Sequence, residues 1–377
     1  MPCIVDRFHY TEPGFGHIMP HVAFYITGHG FGHATRMAAV ASALAEQVPG
    51  LRLTFITMAP EWLLRLNLSS EFRIRPRALD VGVIQFDSIR LDPAATLAAY
   101  ARLLEEQPAV IQEEAEILRR DRVDLVVADI PPAAFLVAQR AGLPGVGISN
   151  FSWDWIYADY VRAFPEHSPI LDAIREAYGR ADLFLRLPFH GPCDAFKSIR
   201  DIAMVARRAQ HPREEVRRML GLDGSRPVIL LSFGGFEIRG IDFDRVERLG
   251  DYCFLATQPT PRPLRNVRVV TMDGLKYEEL VAQADAVITK PGYGIVSDCL
   301  ANRTPLLYTP RGEFAEYAAL VAGLERFGVS AFIGTQDLLA GNWGDHLDEL
   351  LRRPRIWHDL PTNGAEVAAG ILRAYLP

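Results

Sequence analysis

Short apolar runs rich in β-branched residues alternate along the chain with longer stretches of helical periodicity. The first series is VAFYIT (22–27), LRLTFIT (51–57), VDLVVAD (123–129) and GVGIS (145–149). Such alternation predicts a parallel sheet covered by helices. After the first run, Met37, Val40, Ala41, Leu44 and Val48 recur at spacings of three and four, which predicts a helix with one buried face and a polar face carrying Arg36, Ser42 and Glu46. The stretch 94–120 reads as a second long amphipathic helix, ending in Arg119 and Arg120 where cations suit a helix C-terminus. Between 187 and 227 the pattern loosens, and a linker is expected over 191–226. A second series follows: PVILLSFGG (227–235), YCFLAT (252–257), NVRVVT (266–271), ADAVITKPGYG (284–294) and TPLLYTP (304–310). The expected fold is therefore α/β, with two doubly wound Rossmann-like lobes over 21–190 and 227–360 and a cleft between them. Ligands of such sheets sit beyond the carboxyl ends of the strands. Residues 361–377 read as a closing helix that could cross back to the first lobe. No internal repeat is visible.

A length of 377 residues suits two domains, and 49% hydrophobic with 23% charged residues is an ordinary globular composition. The formal charge of −6 gives no general pull toward nucleic acid, so any phosphate must be met locally. Cys3, Cys193, Cys253 and Cys299 are scattered, with no C-x-x-C pair, and are expected to fill cores in a reducing compartment. No apolar run reaches the roughly 20 residues of a membrane span. The first residues lack the apolar block of a signal peptide, so a cytoplasmic protein is expected, with contact at a membrane surface left open. GFGH at 14–17 repeats GFGH at 30–33 without a strand before it. Residues 1–20 are accordingly expected to be a poorly ordered leader, with Met19 an alternative start.

Five stretches carry chemistry. In YITGHGFGHATR (25–36), Gly28, Gly30 and Gly32 follow a strand and open a helix, but His33 stands where a dinucleotide fingerprint needs glycine. Glycine lets backbone approach a ligand, and an imidazole at that edge can move a proton at neutral pH. His33 and His29 are the candidates, with Asp129, at the end of the third strand, placed to orient a ring. In KPGYGIVSD (290–298), Lys290 ends a strand, and the amides of Gly292, Tyr293 and Gly294 lie bare at a helix start, a setting for a diphosphate. Asp298 could take ribose hydroxyls. Glu313 and Glu316 follow the next strand and could meet sugar hydroxyls, and the loop 232–240 offers Gly234 and Arg239 to a phosphate. NFSWDWIYADY (150–160) brings Trp153 and Asp154 as candidates for an acceptor side shared with Gly30 and Gly32.

With these elements in hand, the chain resembles the two-lobed GT-B glycosyltransferases, most nearly the family of the peptidoglycan N-acetylglucosaminyltransferase. That family's glycine and histidine turn falls on Gly30 to His33, and its serine-glutamate pair near the ribose on Ser297 and Asp298. The family's acidic and glutamine residues that meet the donor sugar fall near Glu313 and Glu316, where this chain departs from the pattern with glutamate for glutamine. A likeness over almost the whole chain, carried by 25–36, DIPPAAFLVAQRAGLPGVGISNFSWDWIYADY (129–160) and KPGYGIVSDCLANRTPLLYTPRGEFAEY (290–317), is to the glycosyltransferase-like N-terminal region of plant-type L-arabinokinases. The sequence lacks the phosphate loop of the kinase that follows in those proteins, so no kinase activity is expected. The resemblance implies a nucleotide-diphosphate sugar in the second lobe and a hydroxyl acceptor in the first. A histidine base would serve the transfer, with no bound cofactor and no metal. A nucleotide-sugar hydrolase and a non-catalytic sugar-nucleotide sensor are the alternatives.

Overall fold

The computed structural model describes residues 19–86, 90–222, 224–233, 240–272 and 274–377. In the first lobe the strands are β1 (His21–Ile26), β2 (Arg52–Ile56), β3 (Arg73–Arg75), β4 (Leu125–Asp129), β5 (Gly145–Ser149), β6 (Leu183–Arg186) and β7 (Ile199–Asp201). They form one parallel sheet in the order β3-β2-β1-β4-β5-β6-β7. The second sheet, also parallel, is built from β8 (Val228–Ser232), β9 (Cys253–Ala256), β10 (Val267–Val269), β11 (Ala286–Thr289), β12 (Leu306–Tyr308) and β13 (Ser330–Phe332), in the order β10-β9-β8-β11-β12-β13. In each sheet the order reverses between two neighbours, β1 and β4 in one and β8 and β11 in the other. A crevice opens at such a reversal, beyond the strand ends. Both glycine motifs of the sequence lie there.

The helices of the first lobe are α1 (Phe31–Gln47), α2 (Glu61–Asn67), α3 (Pro93–Arg120), α4 (Ala133–Ala141), α5 (Trp153–Ala163) and α6 (Ser168–Tyr178). Those after it are α7 (Arg213–Met219), α8 (Phe243–Glu247), α9 (Tyr277–Gln283), α10 (Tyr293–Asn302), α11 (Glu316–Phe327), α12 (Thr335–Ala340), α13 (Gly344–Arg352) and α14 (Gly364–Arg373). Because helices cover both faces, β1, β4 and β8 are buried along their whole length, which is why they read as continuous apolar runs. The α1 face expected from periodicity is buried, but Arg36, assigned to its polar side, is only 4% exposed. Its charge is matched inside, as described below.

The segment expected as linker is partly built into the lobes. β7 pairs with β6, and α7 packs against α9 in the second lobe, leaving 202–212 as the crossover. The triplet Ile-Arg-Asp of β7 is too short to show the alternation by which a strand is recognised. α14 packs on α1, and Val205 bridges to Asn363 beside it. The inner layers of both lobes merge through α1, α10 and α14 into one apolar cluster. Cys193 and Cys299 are buried and Cys253 partly so, and Asp242 caps α8 by accepting from the Arg245 N–H at 3.0 Å. The leader up to residue 18 lies outside the described residues. Among those described, no helix is long and apolar enough to cross a membrane.

Leu372 of α14 is fully buried in the shared cluster. Leu372→Ala is expected to lower the unfolding free energy by about 2–5 kcal/mol in urea titrations; a value near zero would show that α14 does not help hold the lobes.

Candidate active site

The register of the first sheet sets the site. Ile26 stands opposite Asp129, and the Thr27 N–H donates to the Asp129 carbonyl at 2.9 Å, so the turn after β1 runs past the end of β4. Gly30 caps α1 with φ 82°, a backbone that favours glycine. One turn on, His33 Nδ1 lies 2.8 Å from Asp129 Oδ1. A carboxylate accepts only, so Nδ1 carries the proton and Nε2 is the nitrogen left to accept. No described residue hydrogen-bonds to Nε2. Arg36, three residues along the same face of α1, grips both oxygens of Asp129: Nε donates to Oδ2 at 2.9 Å and Nη2 to Oδ1 at 2.7 Å. Asn150 Oδ1 at 3.1 Å and Ser149 Oγ at 3.3 Å accept from the same guanidinium. Burial alone would raise the Asp129 pKa; the Arg36 charge and His33 outweigh it, and the net shift is downward.

From the second lobe, α10 points its N-terminus at that of α1. A Cβ added to Gly294 would fall 3.4 Å from the Gly32 Cα, so the two helix starts abut at van der Waals distance. Gly292 precedes α10 and no side chain caps it, leaving its first amides for a ligand. The Tyr293 ring lies under the Arg36 guanidinium, 4.7 Å from its carbon. Between the lobes is a cavity of 270 Å³, lined by His29, Gly30, Gly32, His33, Lys290, Gly292, Tyr293, Gly294, Asp298 and Glu316 among others.

Other expected site residues are placed differently. Ser297 is buried and its hydroxyl donates to the Gly294 carbonyl at 2.9 Å. Both oxygens of Asp298 are engaged by Arg207 of the crossover: the Arg207 N–H donates to Oδ1 at 3.1 Å and its guanidinium to Oδ2. Arg207 also reaches Asn67 at 3.0 Å and Glu278 at 3.3 Å. A ribose meets Asp298 only if Arg207 shares or releases it. Glu316 is buried, accepting from Asn150 Nδ2 at 2.7 Å across the lobes and from Arg311 at 2.6 Å. Glu313 is exposed and outside the cavity lining, because the turn before α11 directs it away. Gly234 and Arg239 lie outside the described residues.

The acceptor-side pair departs from expectation. Trp153 is buried in the first-lobe core, its indole donating to Asp80 at 2.8 Å. Asp154 faces away from the cleft, into a separate 650 Å³ surface cavity with Trp155, Arg175 and Cys193. One turn of α5 cannot aim two successive side chains the same way. The apolar wall of the cleft is instead Phe31, Trp62, Leu63 and Leu66, with Trp62 53% exposed. His29 is held in the wall: its Nδ1 accepts from the Val83 N–H at 3.2 Å, the Gln85 side-chain amide lies 3.3 Å from Nε2, and its ring stacks on Phe314. Burial, and then the charges of Arg311, His33 and Lys290, hold its pKa well below the usual histidine value. Among the described residues no His, Cys, Asp and Glu side chains group to hold a metal ion.

This arrangement defines the chain as a two-lobed protein with the GT-B fold. It superposes on the calicheamicin glycosyltransferase CalG4 with a TM-score of 0.60 at 18% identity, covering 95% of this chain and 98% of the other. On MurG of Acinetobacter baumannii the TM-score is 0.57 at 14% identity, covering 94% and 99%. In sequence the chain is similar to L-arabinokinase of Arabidopsis thaliana, 32% identical over 355 residues, which are 93% of this chain and 34% of that protein. It is also 22% identical to the UDP-N-acetylglucosamine–N-acetylmuramyl-(pentapeptide) pyrophosphoryl-undecaprenol N-acetylglucosamine transferase of Thermus thermophilus, over 52% of this chain and 60% of the other. The chain thus spans about a third and under two thirds of these relatives. No family model matches it.

The buried Asp80 carboxyl is stripped of water and, although it accepts from Thr27 and Trp153, is pushed up to about 6. Its unfolded value is near 3.9, so the folded chain binds this proton more tightly. Stability from this group is present below pH ~4 and is lost as pH rises through about 6, a change of about 3 kcal/mol. Asp80→Asn should remove that slope from unfolding free energies measured between pH 4 and 7; an unchanged slope would place the titration elsewhere.

Proposed function

We propose that the chain transfers a sugar from a nucleotide-diphosphate sugar to an acceptor hydroxyl, with His33 as general base. The observation that carries this reading is the 2.8 Å contact of His33 with Asp129 at the point where α1 and α10 abut. The first amides of α10 would meet a diphosphate, with Lys290 lining the same cleft, and as the bond from the sugar to phosphate breaks these amides hold the charge that stays on the leaving group. His33 Nε2 takes the proton of the acceptor hydroxyl as its oxygen bonds to the sugar carbon, while Nδ1–H stays on the ionised Asp129. A metal has no step in this scheme, and no phosphoryl transfer is assigned to these two lobes. Phe31, Trp62, Leu63 and Leu66 suit an acceptor whose hydroxyl sits on an apolar body.

The test follows nucleotide release from UDP-, dTDP- and GDP-sugars with and without hydroxyl acceptors of apolar body. Release that depends on acceptor is expected; release without it would make the protein a hydrolase, and binding without release a sensor. His33→Gln should lower kcat by about 10²–10⁴ with nucleotide affinity near the wild-type value. Turnover of that variant at the wild-type rate would contradict the base assignment.

A further inference from the structure

An imidazole against a buried, ionised carboxylate keeps its proton to higher pH than a free ring unless something offsets the pairing. An opposite charge at hydrogen-bond distance favours the protonated ring by about one to three pH units, and a ring already protonated cannot take a proton from an acceptor. The His33–Asp129 pair alone has this defect. Arg36 is arranged to cancel it. Its guanidinium is bonded to both Asp129 oxygens, including the Oδ1 that faces His33, so the carboxylate is already matched by a positive charge. Its Nη2 also lies 3.1 Å from His33 Nδ1, which penalises a second positive charge on the ring. Asn150, Ser149 and the Tyr293 ring hold the guanidinium on its remaining sides, so it cannot swing away.

The other charged or titratable groups around this cluster do not replace it. In the first lobe they are Asp80, which donors from Thr27 and Trp153 satisfy, and His29, held in the wall. From the second lobe Glu316 is paired with Arg311, and Lys290 and Tyr293 stand across the cleft. Only Arg36 among them contacts both members of the dyad.

We infer that Arg36 is a positioning residue that neutralises Asp129 and so keeps the His33 ring uncharged, and able to accept a proton, at neutral pH. This rests on His33 being the base, and the experiment separates the two claims. The His33 ring carbon–proton signal of the full chain, assigned by its loss in His33→Gln, is titrated by NMR in the wild type, Arg36→Met and Arg36→Lys, beside pH profiles of kcat/KM. Arg36→Met should raise the His33 midpoint by about one unit or more, and the acid limb of kcat/KM should rise with it. Arg36→Lys, which keeps the charge, should stay near the wild type. A midpoint unmoved in Arg36→Met, or moved equally in Arg36→Lys, would overturn the inference. A midpoint that moves while the acid limb stays put would uphold it and remove His33 as the base. Where Arg36→Met does not fold, Asp129→Asn with Arg36 intact should lower the His33 midpoint; an unmoved or raised one would overturn the inference.

Discussion

The carboxylate of Asp129 is fully buried, and everything at the cleft follows from how its charge is matched. Removing such a group from water costs several kcal/mol unless its oxygens find partners of opposite charge. The β1–β4 register places it under the first turn of α1, where His33 and Arg36, three residues apart, both reach it. Arg36 in turn meets Tyr293 of the second lobe and Asn150, and Asn150 bonds Glu316. One buried charge is thus tied through Arg36 and Asn150 to Glu316 at the start of α11. These contacts orient the ring and add to the α1–α10–α14 packing that joins the lobes.

Two helix N-termini brought together at Gly32 and Gly294 are electrostatically unfavourable by themselves, since each carries about half a positive charge. Arg311, which lines the same cleft, is spent on Glu316, so the helix starts keep their own partial positive charge. The acidic groups of the cleft are already occupied: Asp129 by Arg36, Glu316 by Arg311 and Asp298 by Arg207. What the cleft offers an incoming molecule is therefore positive potential and uncapped amides on the second lobe, facing an apolar wall on the first. That polarity matches a ligand with one anionic and one less polar end.

Much of this was legible in the sequence because both sheets are covered on two faces, so their strands appear as unbroken apolar runs ending in glycine turns. His33, Asp129 and the helix start at Gly292 to Gly294 could be placed from strand ends alone. Arg36 was misread, since an arginine on a helix is ordinarily solvated, although its spacing of three from His33 was a usable signal. Arg207 and Asn150 gave no local sign: their partners are 91 and 166 residues away. The aromatic stretch 150–160 misled in the other direction, because a helix start divides neighbouring side chains between core and surface. Trp153 went inward to Asp80 and Asp154 outward to Arg175.

The central claim is that an anion bound at α10 lies against the His33 ring. A crystal structure with uridine diphosphate would test it most directly. The account predicts phosphate oxygens within about 3 Å of the Gly292 to Gly294 amides, with His33 still on Asp129 and Nε2 turned to the cleft. Diphosphate bound away from these amides, or a His33 ring rotated off Asp129, would contradict it.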